Sequence, residues 1–297
     1  MGSILHIVPG IDDVANGMAV VARLLAKEQG NAEVVDLNHG MRRIHDEDVE
    51  EVWVHGMWLP KEWAVCRAAL RAGKRLVRMT HGSLSPVYLT HQSCLRKKLV
   101  APIERHFLLR ACKLVATCEA EKGWIEAYLG RRCPHIEVTD LKRFFDLGRV
   151  ERVETCRDGE NKERDETLHL LYLGRRHPLK GVEYLETAVR QIEDSSRSTC
   201  STRLKIISSA FGEELEKVWG WCDVLVLPTL SENFGLVIAE ALERGKRVIT
   251  TDGAPAWGDG NDYGGRLVYV KGYRDGTDEE RVNLLKDAIR QLTTNNL

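Results

Sequence analysis

Short apolar runs alternate along this chain with longer segments whose apolar residues recur every three or four positions. In the first half, the runs with the length of buried strands lie at residues 3–8, 33–37, 52–55, 75–80 and 113–117. The helical segments between them include residues 18–29, 61–72, 91–111 and 119–129. Strands that alternate with helices predict a parallel sheet covered by helices, so we predict an α/β fold.

The same alternation resumes after an interval dominated by charged residues. Residues 146–167 lack a periodic apolar face, which is typical of a linker. Beyond them, one predicted strand ends at Leu173 and others lie at residues 204–208, 224–227, 247–250 and 267–270. Predicted helices begin at Val182 and cover residues 213–219, 234–243 and 278–292. Because 297 residues suffice for two cores, we predict two domains, residues 1–145 and 168–297, joined by the linker 146–167.

The composition is that of an ordinary globular protein. Hydrophobic residues make up 43% and charged residues 29%, and no apolar run approaches the roughly 20 residues of a membrane span. The eight cysteines include no CxxC pair and have no histidine at zinc-ligand spacing, which indicates reduced thiols that mostly fill the core. The first residues resemble a strand rather than a signal peptide, because no basic segment precedes them. These features predict a cytoplasmic protein.

The net charge of −1 conceals a basic segment between Lys61 and Lys113. Twelve lysines and arginines stand there against Glu62 and Glu104, an excess of ten positive charges. One interpretation is a solvated face that acidic segments elsewhere balance. The other is a surface for an anionic acceptor or an anionic membrane. Nucleic acid is disfavoured as a partner, because the segment has no recognisable binding motif and the whole chain is near neutral.

The most specific chemistry lies between Pro228 and Pro255. A buried strand ends at Leu227, a polar loop containing Glu232 follows, and a helix is predicted to begin at Phe234. In open α/β sheets, ligands bind at the carboxyl ends of the strands. The loop is therefore a candidate ligand site.

Two kinds of group in this stretch suit a sugar nucleotide. The backbone amides of Phe234, Gly235 and Leu236, at a helix start, favour a phosphate or a sugar hydroxyl. The carboxylates of Glu232 and Glu240 stand about two helical turns apart and accept hydrogen bonds from hydroxyl groups. The alternative is that Glu240 lies on a solvated helix face.

The sequence SENFGLVIAE, with the flanking PT and EAL, resembles the donor-site signature of the retaining glycosyltransferases of family 4, which have the GT-B fold. That signature has a Glu, a Phe-Gly soon after it, and a second Glu eight positions after the first. The resemblance implies that Glu232 holds the donor sugar hydroxyls and that Glu240 holds the ribose. It also implies that Asn233, Phe234, Gly235 and Leu236 contribute to binding the nucleotide.

The resemblance extends to two further loops. The Gly-Arg and Lys-Gly of the family match Gly174-Arg175 and Lys180-Gly181, and the cations of Arg175 and Lys180 suit a pyrophosphate. Gly17 matches one of the family's glycines near the donor diphosphate. The alternative for the loop of Arg175 and Lys180 is a solvated basic loop, and the alternative for Gly17 is an ordinary turn.

Two strands of the first domain end in His-Gly, at His55 and at His81. The resemblance implies that His81 and Gly82 line the cleft between the domains, with His81 near the reacting sugar. We interpret His55 as structural, which is also the alternative for His81, because a lone histidine is usually satisfied within the fold.

The resemblance implies a GT-B protein of two Rossmann-like domains whose parallel sheets face each other across a cleft. The first domain would take the acceptor and the second the donor. The implied activity is the transfer of a sugar from a nucleotide-diphosphate sugar, with retention of configuration. The expected acceptor is an anionic glycan or glycolipid such as a lipopolysaccharide core. The catalytic candidates are His81, Glu232, Arg175 and Lys180.

No cofactor or metal is expected besides the donor substrate, and peripheral contact with the inner face of a membrane is expected. Two alternatives remain at this point. One is a protein that binds a nucleotide sugar, or serves as a scaffold, without transferring the sugar. The other is an epimerase or hydrolase that acts on a sugar nucleotide.

Overall fold

Eleven strands and ten α-helices alternate along the residues that the computed structural model describes, which are 2–13, 16–90, 94–148, 167–195 and 201–294. The chain divides into two compact units, residues 1–144 and 145–297, and each contains one parallel sheet. Most of the predicted linker 146–167 lies outside the described residues, because 149–166 are not among them. The predicted α/β fold with two parallel sheets is confirmed.

The first unit has a six-stranded sheet in the order β2-β1-β3-β4-β5-β6, with every neighbouring pair parallel. Its strands are β1 (Ser3–Ile7), β2 (Ala32–Val35), β3 (Val49–His55), β4 (Arg75–Met79), β5 (Lys113–Ala116) and β6 (Ile136–Val138). Its helices are α1 (Gly17–Gln29), α2 (Leu37–Arg43), α3 (Pro60–Arg71), α4 (Pro86–Thr90), α5 (Cys94–Arg110) and α6 (Glu119–Leu129). Because all six strands run the same way, their carboxyl ends lie at one edge of the sheet.

Two sequence predictions in this unit are corrected. The strand predicted over 33–37 ends at Val35, because the side chain of Asp36 caps α2 by accepting hydrogen bonds from Asn38 N and His39 N. Part of the helix predicted over 91–111 is observed as α5, with the separate short helix α4 before it, and residues 91–93 lie outside the described ranges.

A buried ion pair joins α5 to the sheet. The guanidinium of Arg78, on β4, is fully buried and donates to Glu104 Oε1 at 2.7 Å and to Gly56 O at 2.8 Å. The other oxygen of Glu104 accepts hydrogen bonds from Trp58 N at 2.9 Å and from Trp63 Nε1 at 2.7 Å. The carboxylate therefore holds β4, α3 and the loop after β3 against α5, which makes a charged group part of the core.

The second unit has a five-stranded parallel sheet in the order β11-β10-β9-β7-β8. Its strands are β7 (Leu168–Leu173), β8 (Thr202–Ile207), β9 (Val224–Leu227), β10 (Arg247–Thr251) and β11 (Leu267–Val270). Its helices are α7 (Val182–Asp194), α8 (Gly212–Trp221), α9 (Leu236–Glu243) and α10 (Asp278–Thr294). Only α8 lies between β8 and β9 in the described part of this unit.

Apolar spacing explains why these helices form where they do. The buried residues of α7 recur at helical spacing on one face, and they are Val182, Leu185, Ala188, Val189 and Ile192. No helix within the described ranges has both the length and the apolar character that crossing a bilayer requires.

Candidate active site

Two predicted site loops of the second unit meet at one edge of its sheet. Arg175 and Lys180 follow β7, and Glu232 follows β9, and these two strands are hydrogen-bonded neighbours. The ammonium of Lys180 forms an ion pair with the carboxylate of Glu232, and each side chain keeps about a quarter of its surface exposed, 24% and 22%. The structure therefore brings together two residues that are 52 positions apart, at an edge open to solvent.

Backbone hydrogen bonds hold these loops in place. Leu179 O accepts hydrogen bonds from Leu230 N at 2.8 Å and from Thr229 Oγ1 at 3.0 Å. Glu232 N donates to Gly253 O at 2.8 Å, which joins the loop after β9 to the loop after β10. A Cβ atom at Gly253 would lie 2.0 Å from Thr229 O, so the backbones approach closely there. The position of Glu232 is thus fixed by main-chain contacts on both sides.

Helix α9 starts later than its sequence pattern predicts. The prediction began the helix at Phe234, but α9 begins at Leu236, because Gly235 adopts the left-handed conformation with φ of 73° at the N-cap. Phe234 is buried and lies against Trp257, whose indole N–H donates to Phe234 O. Within the described residues, the amides of Phe234, Gly235 and Leu236 have no hydrogen-bond acceptor. Three N–H groups at a helix start therefore remain available to an anion.

Glu240 has the environment expected of a ligand-binding carboxylate. It lies in the second turn of α9, is half-buried, and accepts no hydrogen bond from any described residue through its carboxylate. Burial raises the pKa of Glu240, while the positive charge of Arg244 opposes that shift. A half-buried carboxylate without a donor is costly in the free protein, so a ligand hydroxyl would relieve it.

The two neighbouring arginines after β7 differ in their contacts. Arg176 is held in an ion pair with Glu186. Arg175 is exposed, and among the described residues its guanidinium has no partner, while its carbonyl oxygen accepts from the hydroxyl of Tyr172 at 2.9 Å. Of the two arginines, Arg175 is therefore the one whose charge is not engaged in an ion pair with a described residue.

The first unit places its two predicted site residues at the carboxyl edge of its own sheet. Gly17 is the first residue of α1, after Asn16, whose side chain accepts from Met18 N and donates to Pro9 O. The loop before α1 follows β1, and His81 follows β4. In the sheet, β3 lies between β1 and β4. These residues are thus at the same edge of the sheet but on loops two strands apart.

The loop of His81 is anchored by Glu121, a residue that the sequence interpretation did not select. Glu121 is fully buried, and its Oε1 accepts from Thr80 Oγ1 and Gly82 N, both at 2.6 Å. Its Oε2 accepts from the backbone and hydroxyl of Thr117. The anchor holds His81 at a positive φ of 49°, a conformation that L residues seldom adopt. The sequence signal for Glu121 was a glutamate in the first turn of a helix that follows a buried strand. Favourable capping of the helix N-terminus explains such a glutamate equally well, so the signal did not single it out.

His55 is completely buried and hydrogen-bonded within the fold, which is consistent with its interpretation as a structural histidine. Its Nδ1 lies 2.8 Å from His81 Nε2, so it is in direct contact with a predicted catalytic residue. The sequence could not show this contact, because His55 ends β3 and His81 follows β4, 26 positions later.

Among comparisons with known proteins, a family model matches part of the second unit. Residues 203–294 match the family model for glycosyl transferases group 1. A stretch of 123 residues is 30% identical to an uncharacterized 41.2 kDa protein in the cps region of Klebsiella pneumoniae, over 35% of this chain and 32% of that protein. The chain thus spans about a third of the length of that relative.

Solved structures resemble the whole chain. Sucrose-phosphate synthase from Thermosynechococcus elongatus has a TM-score of 0.65 at 15% identity, over 98% of this chain and 90% of its own. Anabaena HepE in complex with UDP has a TM-score of 0.58 at 15% identity, over 98% of this chain and 90% of its own. A UDP-forming trehalose-phosphate synthase from Burkholderia vietnamiensis has a TM-score of 0.61 at 10% identity, over 97% of this chain and 89% of its own. Residues 203–294 thus match the family model of the glycosyl transferases group 1, within a chain that has the two-sheet GT-B fold.

Proposed function

We propose that the protein transfers a sugar from a nucleoside-diphosphate sugar to an acceptor, with retention of configuration. The observation that carries the proposal is the contact of Lys180 with Glu232 beside the unpaired amides at the start of α9. This contact and these amides bring a cation, a carboxylate and helix-terminal N–H groups to one edge of the sheet, in a unit that matches a glycosyltransferase family model. Negative charge develops on the leaving diphosphate during transfer, and the cation and the N–H groups stabilise it.

The roles of the residues follow from their chemistry. Lys180 and Arg175 would neutralise the diphosphate, and the amides near Gly235 would bind its oxygens. Glu232 would accept hydrogen bonds from the sugar hydroxyls once Lys180 turns to the diphosphate. Glu240 would accept those of the ribose. No side chain is assigned as a nucleophile, so the acceptor would attack on the face that the diphosphate leaves, with the diphosphate taking its proton.

Nucleotide binding and sugar transfer separate these roles experimentally. We expect Glu240→Ala to weaken UDP binding about tenfold, because it removes the carboxylate assigned to the ribose. Glu232→Ala should lower the transfer rate more than the affinity for UDP, because its partner is the sugar. Isothermal titration with UDP measures the first, and release of UDP from UDP-sugars in the presence of acceptors measures the second. We choose UDP because HepE was solved with UDP and the Burkholderia synthase is UDP-forming.

Glu243→Ala provides the matched control, since Glu243 lies on the same helix one turn further along. Unchanged UDP affinity in Glu240→Ala would contradict the ribose assignment. Binding of nucleotide sugars without turnover over a broad acceptor panel would favour a binding protein, and turnover without any acceptor would favour an epimerase or a hydrolase.

The acceptor side of the proposal rests on how the basic segment folds. Seven of its twelve cations make contacts within the unit, through hydrogen bonds or ion pairs, and they are Lys74, Arg75, Arg78, Arg96, Lys97, Arg105 and Lys113. The other five are exposed, and they are Lys61, Arg67, Arg71, Lys98 and Arg110. Lys97 is buried between exposed neighbours, and its ammonium lies over the ring of Tyr88 and donates to Tyr88 O.

Exposed apolar residues lie among these cations. Leu95, Leu99 and Ile103 follow one another at intervals of four residues on α5 and are 69%, 73% and 43% exposed. Beside them is a groove of about 520 Å³ lined by Arg67, Leu70, Arg71, Pro102, Ile103, His106, Phe107 and Arg110. Exposed apolar residues flanked by cations offer both apolar and electrostatic contacts to an anionic membrane surface. We infer that this surface of α3 and α5 meets an anionic membrane that holds a glycolipid acceptor.

The membrane inference predicts salt-dependent binding. The wild-type protein should bind vesicles that contain anionic lipid at 0.1 M salt and lose most of that binding near 1 M, since the Debye length falls from about 10 Å to about 3 Å. Replacing Arg67, Arg71 and Arg110 with serine should weaken binding at least about tenfold at low salt, because each cation near the surface contributes about 1 kcal/mol. Vesicle flotation measures the bound fraction.

A matched triple variant shows whether the location of the charge matters. Arg42, Arg131 and Arg132 are exposed residues of the same unit that do not line the groove, so replacing them with serine removes the same charge elsewhere. Equal losses in both triple variants, or no flotation of the wild-type protein at low salt, would contradict the inference. The affinity for UDP should be the same in all of these proteins.

A further inference from the structure

Three histidines of the first unit form a continuous hydrogen-bonded chain that ends at Gln29. His81 Nε2 lies 2.8 Å from His55 Nδ1, and His55 Nε2 lies 2.9 Å from His6 Nδ1. His6 Nε2 lies 2.7 Å from Gln29 Oε1, on the last residue of α1. Ring centroids are 5.1 Å apart for the first pair and 5.2 Å for the second, so each ring contacts the next directly.

All three rings are uncharged at neutral pH. His6 and His55 are completely buried, and burial lowers the pKa of His6 to about 4 and that of His81 to about 3. Burial also lowers the pKa of His55 well below its ordinary value, and the positive charge of Arg78, with the charge that protonation would place on His81 or His6, adds to that shift. Each ring therefore carries one N–H donor and one acceptor nitrogen.

The orientation of the Gln29 amide gives the chain a direction. In this structure the amide oxygen of Gln29, which only accepts, faces His6 Nε2, and in that orientation His6 donates from Nε2 and accepts at Nδ1. His55 then donates from Nε2 and accepts at Nδ1, and His81 donates from Nε2. His81 Nδ1 is left with a lone pair, and no group within the described residues hydrogen-bonds to it.

The chain fixes the ring of His81 in addition to its tautomer. Glu121 holds the strained backbone of His81, and His55 holds its ring through Nε2, so both ends of the residue are constrained. The chain does not carry protons to solvent, because the amide at its far end does not titrate in water. Its effect is restricted to orientation and to the choice of tautomer.

We propose that Gln29, His6 and His55 are positioning residues that hold His81 as the neutral Nε2–H tautomer, with Nδ1 presented as an acceptor to a hydroxyl group of a substrate. The substrate contact rests on the proposed transferase function, whereas the tautomer does not. A neutral imidazole can accept a hydrogen bond at Nδ1, whereas a protonated one could only donate there.

The tautomer is measurable without substrate. Nitrogen-15 spectra of histidine-labelled protein at neutral pH should show that His6, His55 and His81 are each protonated at Nε2 and unprotonated at Nδ1. Gln29→Lys replaces an acceptor with a group that only donates, so it should reverse the chain and move the proton of His81 to Nδ1. Lys27→Met is the matched control, since Lys27 is exposed in the same last turn of α1 and should leave all three tautomers unchanged.

Kinetics connect the tautomer to transfer. Gln29→Lys should lower kcat about tenfold while the dissociation constant of UDP stays within about twofold, and Lys27→Met should change neither. A wild-type His81 protonated at Nδ1, or an unchanged tautomer in Gln29→Lys, would overturn the tautomer assignment whether or not transfer is observed. A reversed tautomer together with an unchanged kcat would overturn the substrate contact. Failure to detect transfer by the wild-type protein would instead count against the proposed function, because the tautomers are measured independently.

Discussion

Replacing Glu104 with alanine is expected to destabilise the first unit by about 3–5 kcal/mol, the usual cost of removing one partner from a buried ion pair. Arg78 would remain fully buried with its charge unpaired, and Trp58 N and Trp63 Nε1 would lose their acceptor. A domain is commonly stable by only about 5–15 kcal/mol, so the loss is large. Urea unfolding measures the difference in the free energy of unfolding. Hydrogen exchange of the amides of β4 shows whether it lies in the first unit.

Two control variants show whether the loss of stability comes from leaving a buried charge without its partner. The double change Arg78→Met with Glu104→Leu removes both charges and keeps apolar volume, so it should cost much less than Glu104→Ala alone. Glu137→Ala breaks the exposed pair with Lys113, which is expected to contribute no more than about 1 kcal/mol. If Glu104→Ala cost no more than Glu137→Ala, the buried network would not stabilise the unit.

Replacing Gly181 with alanine is expected to destabilise the second unit by about 3 kcal/mol or more. Gly181 has a φ of 63°, where a side chain is strained, and a Cβ atom there would lie 2.2 Å from Pro228 O and 2.8 Å from the hydroxyl of Tyr273. The backbone oxygen cannot move without shifting the loop after β9. Because Lys180 is adjacent, the variant should also lose affinity for UDP.

Gly272→Ala isolates the contribution of the conformation. Gly272 has a φ of 75°, but a Cβ atom there would meet nothing within 4 Å, so only the left-handed strain of about 1 kcal/mol is expected. Thermal unfolding of both variants, with hydrogen exchange of α7, measures the difference. Equal destabilisation would show that the close approach of Gly181 to Pro228 has no energetic consequence.

Much of the architecture was predictable from the sequence because it depends on local patterns. Apolar runs bounded by polar residues located the strands, and the predicted limits of β9, β11 and α6 agree with the observed ones. The short elements α2 and β6 were missed, since a few residues provide too little periodicity to detect. The start of α9 was misplaced because the left-handed conformation of Gly235 does not alter the apolar pattern.

The candidate donor site was equally accessible, since its groups lie in short motifs. Lys180 and Glu232 each follow a predicted strand, and parallel strands deliver their carboxyl ends to one edge. Their direct ion pair depends on β7 and β9 being neighbours in the sheet, which no local pattern reveals.

The sequence by itself determined the parallel α/β fold, the candidate residues of the donor site and the excess of positive charge between Lys61 and Lys113, because each is a property of neighbouring residues. Only the tertiary structure decided which cations turn inward, as Lys97 does, and which histidines touch. His6, His55 and His81 lie on or after three strands that pair side by side. The register pairs His6 with Trp53 and His55 with Met79, so each next histidine lies two residues beyond the partner of the one before it, and the rings meet. Register depends on packing between distant segments, so the contact between these rings is set by the folded sheet and not by any one stretch of sequence.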